Sequence, residues 1–196
     1  MVPASVHIEA LDGPAAAAAE HDFMLVYGEA FAEAPYCKTN DDVAANARRF
    51  RSQVRKPTFR AALARAETGE PVGIAYGWPL SPTTGWWDRL VTPVDAALRR
   101  EDGRRTFGLI ELAVRAPWRR RGIARRLHDT VLATGREERV LLNARPDAPA
   151  AQAAYRSWGY RKVGACHPWN GAALHDVMLL TLDWPTSAVA RRSEER

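Results

Sequence analysis

Residues 110–132 read IELAVRAPWRRRGIARRLHDTVL, and the reading of this stretch decides the architecture. Residues 106–115 form an apolar strand, and Pro117 closes it. A short connection leads into an Arg-rich segment with one glycine, Gly122, that opens a helix expected over residues 119–133. Ile123, Leu127 and Val131 recur at four-residue spacing, so they share one helix face. Backbone N–H groups at a helix start are unpaired and the helix dipole adds positive potential there, so such a turn suits a phosphate. Glycine lets the anion come close to the main chain. Arg119, Arg120, Arg121, Arg125 and Arg126 add cationic charge. Neither the G-x-x-x-x-G-K-[ST] loop nor the G-x-G-x-x-G fingerprint occurs.

Around this unit the elements alternate. A strand over residues 5–10 comes first, then a helical stretch over 15–32 ending before Pro35. A second helix is expected over 41–55, capped by Asn40 or Asp41 and stopped by Pro57. Residues 58–66 and 71–78 read as a hairpin around Glu67-Thr68-Gly69-Glu70. Residues 79–105 are a long insertion with Trp86 and Trp87 and a short helix near 94–100. Past the central helix, with Gly135 as its expected C-cap, come a strand at 140–142 and a helix over 148–158 ended by Gly159. Two strands follow, near 160–165 and 173–183. This pattern predicts one α/β domain over residues 1–184, with residues 185–196 a polar, disordered tail.

Composition narrows the classes. The 196 residues are 46% hydrophobic and 26% charged, which excludes a disordered chain or a fibre. No apolar run is long enough to span a bilayer, and the tract at Ala15–Ala19 lacks the basic flank of a signal peptide. Cys37 and Cys166 make neither a disulfide framework nor a zinc site, and neither has the local setting of a nucleophile. The chain reads as cytoplasmic and free of metal. Six arginines within 115–126 also fit a solvated basic face or a nucleic-acid patch. A nucleic-acid reader has little need of a glycine at that helix start, and no helix-turn-helix pair is visible.

Arg119-Arg120-Arg121-Gly122-Ile123-Ala124 fits [QR]-x-x-G-x-[GA], and with the preceding Leu112-Ala113-Val114 it resembles the pyrophosphate-binding motif of the GCN5-related N-acetyltransferase (GNAT) superfamily. Downstream, Tyr155 followed by Gly159-Tyr160 matches the family's helix tyrosine and the start of its next strand. The likeness covers roughly residues 57–182. It departs at Ala148, where many members carry an asparagine. It implies a GNAT-like fold, a mixed and mostly antiparallel twisted sheet flanked by helices on both faces. It implies acetyl-CoA as co-substrate, held by Leu112, Ala113, Val114, Arg119, Arg120, Arg121, Gly122, Ile123, Ala124 and Arg125. Backbone groups of residues 112–114 would pair with the pantetheine arm, and an N–H there would polarise the thioester carbonyl. Tyr155 would donate toward the leaving thiolate. Its alternative is an amphipathic tyrosine covering the core.

An amine must lose a proton before it attacks a thioester, and Glu111 is the expected base. Strand alternation puts Glu111, Ala113 and Arg115 on one face and Leu112 and Val114 on the other. A satisfied structural carboxylate is the alternative for Glu111, and Glu29, Glu33, His167 and His175 stand in reserve. The resemblance implies direct transfer to a primary amine of a small molecule or peptide, with no membrane partner, and leaves a homodimer open. A non-catalytic acyl-CoA-sensing or nucleic-acid-binding module on the same fold is the rival. Residues 31–40, 79–105 and 167–172 would shape the acceptor side, where Trp86, Trp87 and Trp169 line a pocket or pack the loops. Charge adds one expectation. The net charge is +5, yet residues 1–47 set eight carboxylates against Lys38 alone, and 25 of the 28 basic residues are arginine. A GC-rich genome gives the same arginine excess without functional meaning. With Glu29, Glu33, Asp41 and Asp42 beside the acceptor, a cationic amine is expected.

Overall fold

Strand β2 (Arg60–Ala66) buries both of its faces, which demands a layer on each side of the sheet. The computed structural model describes residues 5–183 and meets that demand. The strands β1 (Val6–Leu11), β2, β3 (Pro71–Pro79), β4 (Thr106–Val114), β5 (Arg139–Ala144), β6 (Arg161–Cys166) and β7 (His175–Thr181) form one sheet in the order β1-β2-β3-β4-β5-β7-β6. Every neighbouring pair is antiparallel except β4 and β5, which run parallel. Parallel neighbours need a crossover, and helix α5 (Ile123–Leu132) supplies it.

One face carries Ala62, Ala64, Val72, Ala75, Phe107 and Leu109 against Ile123, Leu127 and Val131 of α5. The other carries Ala61, Leu63, Ile74, Tyr76 and Ala113 beneath α2 (Glu20–Phe31) and α3 (Asn40–Gln53), which contribute Phe23, Val26, Tyr27 and Phe50. Helix α6 (Pro149–Ser157) joins the α5 side through Tyr155. The mixed, mostly antiparallel sheet with helices on both faces is therefore the architecture that the sequence indicates.

Four local details differ from the expectations. The helical stretch over 15–32 breaks at Ala19 into α1 (Gly13–Ala18) and α2, because Gly13 presses against the main chain of Val54 while Phe23 and Val26 must reach the sheet. Thr39 caps α3 rather than Asn40 or Asp41, since its hydroxyl accepts from the Asp42 N–H while the Asp42 carboxylate accepts from the Thr39 N–H, completing a capping box. Helix α5 begins at Ile123, after a 3-10 turn over Ala116–Trp118. Ala133, not Gly135, is its C-cap, and Gly135 is instead crowded by Arg60 and Glu137. The expectation for residues 185–196 lies outside the described residues.

The insertion 79–105, with α4 (Ala96–Arg99), packs Leu80 and Trp87 on Leu141, Val177 and Leu179. Buried Arg139 holds it, giving hydrogen bonds to Thr106 Oγ1 (2.7 Å), Leu98 O (2.7 Å) and Glu101 Oε1 (2.9 Å). Trp87 Nε1 donates to the same Glu101 oxygen at 3.1 Å, so this tryptophan packs the loop. Removing one member of a buried ion pair strands the other charge. Glu101→Ala should therefore lower the unfolding free energy by about 3 kcal/mol or more in urea titration. A loss below about 1 kcal/mol would show that water already reaches Arg139.

Candidate active site

Strands β4 and β5 pair at only three positions, Thr106–Arg139, Phe107–Val140 and Gly108–Leu141. Ile110 is an extra residue against β3, because Leu109 faces Gly77 and Glu111 faces Tyr76. Such a bulge turns a strand and strengthens its twist. Beyond it β4 stays with β3, and its other edge, over residues 109–114, has no strand partner. An unpaired edge presents main-chain donors and acceptors to any extended chain laid beside it. Leu112, Ala113 and Val114 lie on this edge, where the resemblance sets the pantetheine arm.

The same strand leads into the turn before α5. Arg120 (φ 62°) and Gly122 (φ 74°) both adopt left-handed backbone, and no side chain caps the helix. Among the described residues no acceptor meets the backbone N–H groups of residues 120–125, and the first bond of the helix is Arg126 N–H to Gly122 O. A Cβ at Gly122 would meet nothing within 4 Å, so the space above the turn is open. This is a row of unsatisfied donors at the positive end of a ten-residue helix, a fitting seat for a diphosphate.

The arginines divide their labour. Arg119 does not face outward alone: its Nε donates to Val114 O (3.0 Å), Nη2 to Ala30 O (3.0 Å) and Nη1 to Glu33 (3.2 Å). Arg125 pairs with Asp129 at 2.9 Å and lies over the Trp158 ring. Arg126 bonds Val6 O, and Arg121 lies over Trp118. Ile123 is a core residue and Ala124 borders the core. Arg120 and Arg121 are the exposed cations of the turn that carry no acid partner among the described residues.

Tyr155 and Glu111 sit on α6 and β4. Gly159 (φ 95°) ends α6, and Tyr160 N–H closes back on Tyr155 O at 3.0 Å, so Tyr155 lies edge-on to Trp158 and Tyr160. Burial holds the Tyr155 phenol well above its usual range, and Tyr36 and the Glu111 charge add to the effect. The phenol stays protonated and is a donor throughout the neutral range. Glu111 is half-buried, and burial pushes its carboxyl up to about 7, opposed by Arg49 and Lys38. Burial also raises Tyr27, Tyr36 and Tyr76, with the charge of this carboxylate adding to each, and Tyr76 is its cross-strand partner. No hydrogen bond or ion pair of the described residues engages it, unlike a satisfied structural carboxylate.

Tyr27, Tyr36 and Arg49 were not singled out in the sequence. They come from α2, the following loop and α3, and no local pattern marks them. The reserve groups are otherwise engaged. Glu29 pairs with Arg115 at 2.6 Å and Glu33 with Arg119. His167 and His175 bond the carbonyls of Ala172 and Ala173. Asp42 pairs with Lys38 at 3.3 Å and caps α3. Three of the four carboxylates behind the expected cationic acceptor are thus answered by a cation, which corrects that steering argument. Trp169 is exposed, with Lys38 6.0 Å above its ring, and Trp86 is half-buried beside Gly108. A cleft of about 610 Å³ lined by Asp12, Arg51, Arg55, Lys56 and Phe59 shares no residue with this site.

The Acetyltransferase (GNAT) family model matches residues 25–160. The chain belongs to the GNAT acetyltransferase family. No curated protein matches it. Among solved structures, PH1933 from Pyrococcus horikoshii OT3 aligns with a TM-score of 0.65 at 15% identity, covering 92% of this chain and 100% of that one. A histone acetyltransferase HPA2 and related acetyltransferase from Corynebacterium glutamicum aligns at 0.62 and 19% identity, covering 93% and 99%. The aminoglycoside N-acetyltransferase AAC(6')-Iy, solved with CoA, aligns at 0.54 and 15% identity, covering 83% and 93%. At such identities the likeness is one of fold. Among the described residues no helix is long and apolar enough to cross a membrane, and no group of three His, Cys, Asp or Glu is arranged for a metal ion.

Acetyl-CoA should raise the melting temperature, since a ligand of the native state stabilises it by mass action. Gly122→Val puts a β-branched side chain at φ 74° in the open space over the turn. Its own melting temperature should fall slightly and most of the acetyl-CoA shift should vanish. A full shift in that GNAT variant would remove the diphosphate from this turn.

Proposed function

We propose that the protein transfers the acetyl group of acetyl-CoA directly to a primary amine of a small molecule or peptide. The observation that carries this reading is a carboxylate with no hydrogen bond or ion pair, Glu111, on the stretch of β4 that has parted from β5 and leads into the uncapped start of α5. In this reading the diphosphate sits on the N–H groups of residues 120–125, with Arg120 and Arg121 beside it. The pantetheine arm runs along residues 112–114 and brings the thioester to Glu111.

Glu111 takes a proton from the incoming ammonium, and the nitrogen attacks the thioester carbon. A backbone N–H of the free β4 edge faces the developing oxyanion. As the tetrahedral species collapses, the C–S bond breaks, the nitrogen gives up its second proton, which leaves on the sulfur as CoA thiol, and the amide remains, with Tyr155 donating toward the departing thiolate. A phenol raised by burial has no tendency to ionise below the pKa of a thiol, so its part is hydrogen-bond donation, with the proton transferred only if Tyr155 is refilled at once. No acyl-enzyme is needed. Cys166 is buried with its thiol pushed up to about 11, a poor nucleophile.

Two features support catalysis over a sensing or nucleic-acid-binding module. A carboxylate without a partner and a buried phenol have no task in a pure binder, and the internal bonds of Arg115, Arg119, Arg125 and Arg126 leave little of the basic face for phosphates of nucleic acid. The acid-rich N-terminal segment favours an acceptor that arrives as a cation, although its ion pairs with Arg115, Arg119 and Lys38 leave chiefly Asp41 and Glu111 to attract one.

Tyr155→Phe should lower kcat about 10-fold or more with acetyl-CoA affinity nearly unchanged, measured by initial rates and by titration of the cofactor. Full activity would assign Tyr155 to packing. For Glu111 the sign follows from its raised pKa. The folded state holds the proton up to about pH 7, so the base becomes available, and kcat/KM rises, as pH increases through 7. The unfolded carboxyl ionises near 4.5, so keeping the charge buried destabilises the fold increasingly between those values. Glu111→Gln should therefore cut activity about 100-fold, flatten the pH profile near 7 and raise the melting temperature at pH 8. A lowered melting temperature with activity retained would make Glu111 structural.

A further inference from the structure

Arg49 is the cation beside Glu111 that no acid answers. On the acceptor side Arg115, Arg119, Arg145 and Lys38 are each paired, with Glu29, Glu33, Asp147 and Asp42. Arg49 has no carboxylate within ion-pair distance among the described residues. It instead donates from Nη2 to Asn46 Oδ1 at 3.0 Å. Asn46 is 1% exposed and its amide rests against Met24 Sδ, so the guanidinium is anchored at one end, beside the Tyr27 hydroxyl, with no acid partner. The group is exposed, and the next residue, Phe50, packs edge-on against Tyr76 at 5.3 Å, so Arg49 lies on the α3 turn that covers the Tyr76–Glu111 pair, and its charge opposes the burial shift of Glu111. Tyr76 is the cross-strand partner of Glu111, fully buried, and its hydroxyl has no hydrogen-bond partner. A half-buried carboxylate and a guanidinium without an acid partner thus meet where α2, α3 and the β4 bulge come together, with the Tyr76 hydroxyl buried beside Asn46 between them.

Resting on the acetyltransferase reading, we propose that Arg49 is the subsite for a carboxylate of the acceptor, so that the acceptor is an amine carrying a carboxylate, an amino-acid-like molecule whose nitrogen is delivered to Glu111. The guanidinium fork matches a carboxylate through two parallel hydrogen bonds. Charge count selects a single negative charge. One free cation faces one carboxylate, and a zwitterion complements both, whereas a dianionic phosphate would meet Glu111 with only one cation to balance it. A plain polyamine would set its second charge against Arg49. The acid of the acceptor and the ammonium of the acceptor therefore find opposite partners in one site, which fixes the nitrogen toward the thioester.

The test is a ratio. CoA release is measured for pairs of acceptors, each an amino acid and the amine left when its carboxylate is removed, with a second arm in which the carboxylate lies on the next residue of a dipeptide. The wild-type protein should prefer the carboxylate member by about 10-fold or more in kcat/KM, the range of a charge-assisted hydrogen bond. Arg49→Ala should bring that ratio to about one, chiefly through KM, and Arg49→Lys should restore part of it. Preference in the first arm identifies a free amino acid, in the second a peptide terminus, and either supports the subsite. A ratio near one in the wild type, or one that survives Arg49→Ala, overturns it and leaves the acetyltransferase reading standing. Bound acetyl-CoA with no CoA release from any amine overturns that reading and the subsite together.

Discussion

The parting of β4 from β5 after three residue pairs is the constraint on which the rest of the site depends. A parallel pair inside a sheet is normally buried on both faces and continuous, so ending it early leaves main-chain groups to be satisfied by something else. The bulge at Ile110 makes the separation possible while β4 keeps its bonds to β3. It also decides which way Glu111 faces. Without the extra residue the alternation after Leu109 would flip, and Glu111 would enter the α5 core instead of the α2–α3 side. One inserted residue therefore opens the slot and aims the base at it.

The Arg-rich turn does two things with one sequence. Its backbone offers the N–H groups of residues 120–125 outward, while the Arg119 side chain reaches back to Val114 O on β4 and Ala30 O at the end of α2. The last carbonyls of a helix carry partial negative charge and lack intrahelical partners, so a guanidinium there stabilises the helix end. Arg115 repeats the device with Glu29, Glu70 and Pro71 O. The acceptor-side helix is thereby tied to the cofactor-side strand through two arginines. A stretch read for its charge is, in two of its six arginines, a brace that holds α2 against β4.

Periodicity made most of the fold legible. Ile123, Leu127 and Val131 mark α5 at once, and Glu67-Thr68-Gly69-Glu70 marks the β2–β3 turn. Boundaries failed where backbone conformation contradicts residue preference. Arg120 has a good helical propensity yet stands at φ 62°, so the helix starts after it, and nothing local announces this. At residues 39–42, TNDD, every position is able to cap, and only the return bond from Asp42 chooses Thr39. Glu111 was visible because a lone acid in an apolar strand is expensive to bury. The charge split was misleading for the opposite reason: a count along the chain is blind to pairs that form across it, and Glu29, Glu33 and Asp42 all find theirs. Arg49 was hidden by the same rule, since what distinguishes it is a partner it lacks.

In the proposed reaction, the setting of Glu111 makes a carboxylate sufficient for an amine. A primary amine near pKa 10 arrives protonated, and handing its proton to an ordinary carboxyl near 4.5 is uphill by about six units, about 8 kcal/mol. Burial pushes Glu111 up to about 7. The same transfer then costs about 4 kcal/mol, well within the barrier of an enzyme turning over about ten times a second. Arg49 and Lys38 oppose the shift, so the free site holds its base below where burial alone would set it. An acceptor whose own carboxylate neutralises Arg49 would relieve that opposition and raise Glu111 further at the moment it is needed. Binding of the right substrate would then strengthen the base that deprotonates it, and an amine without the acid would meet a weaker one.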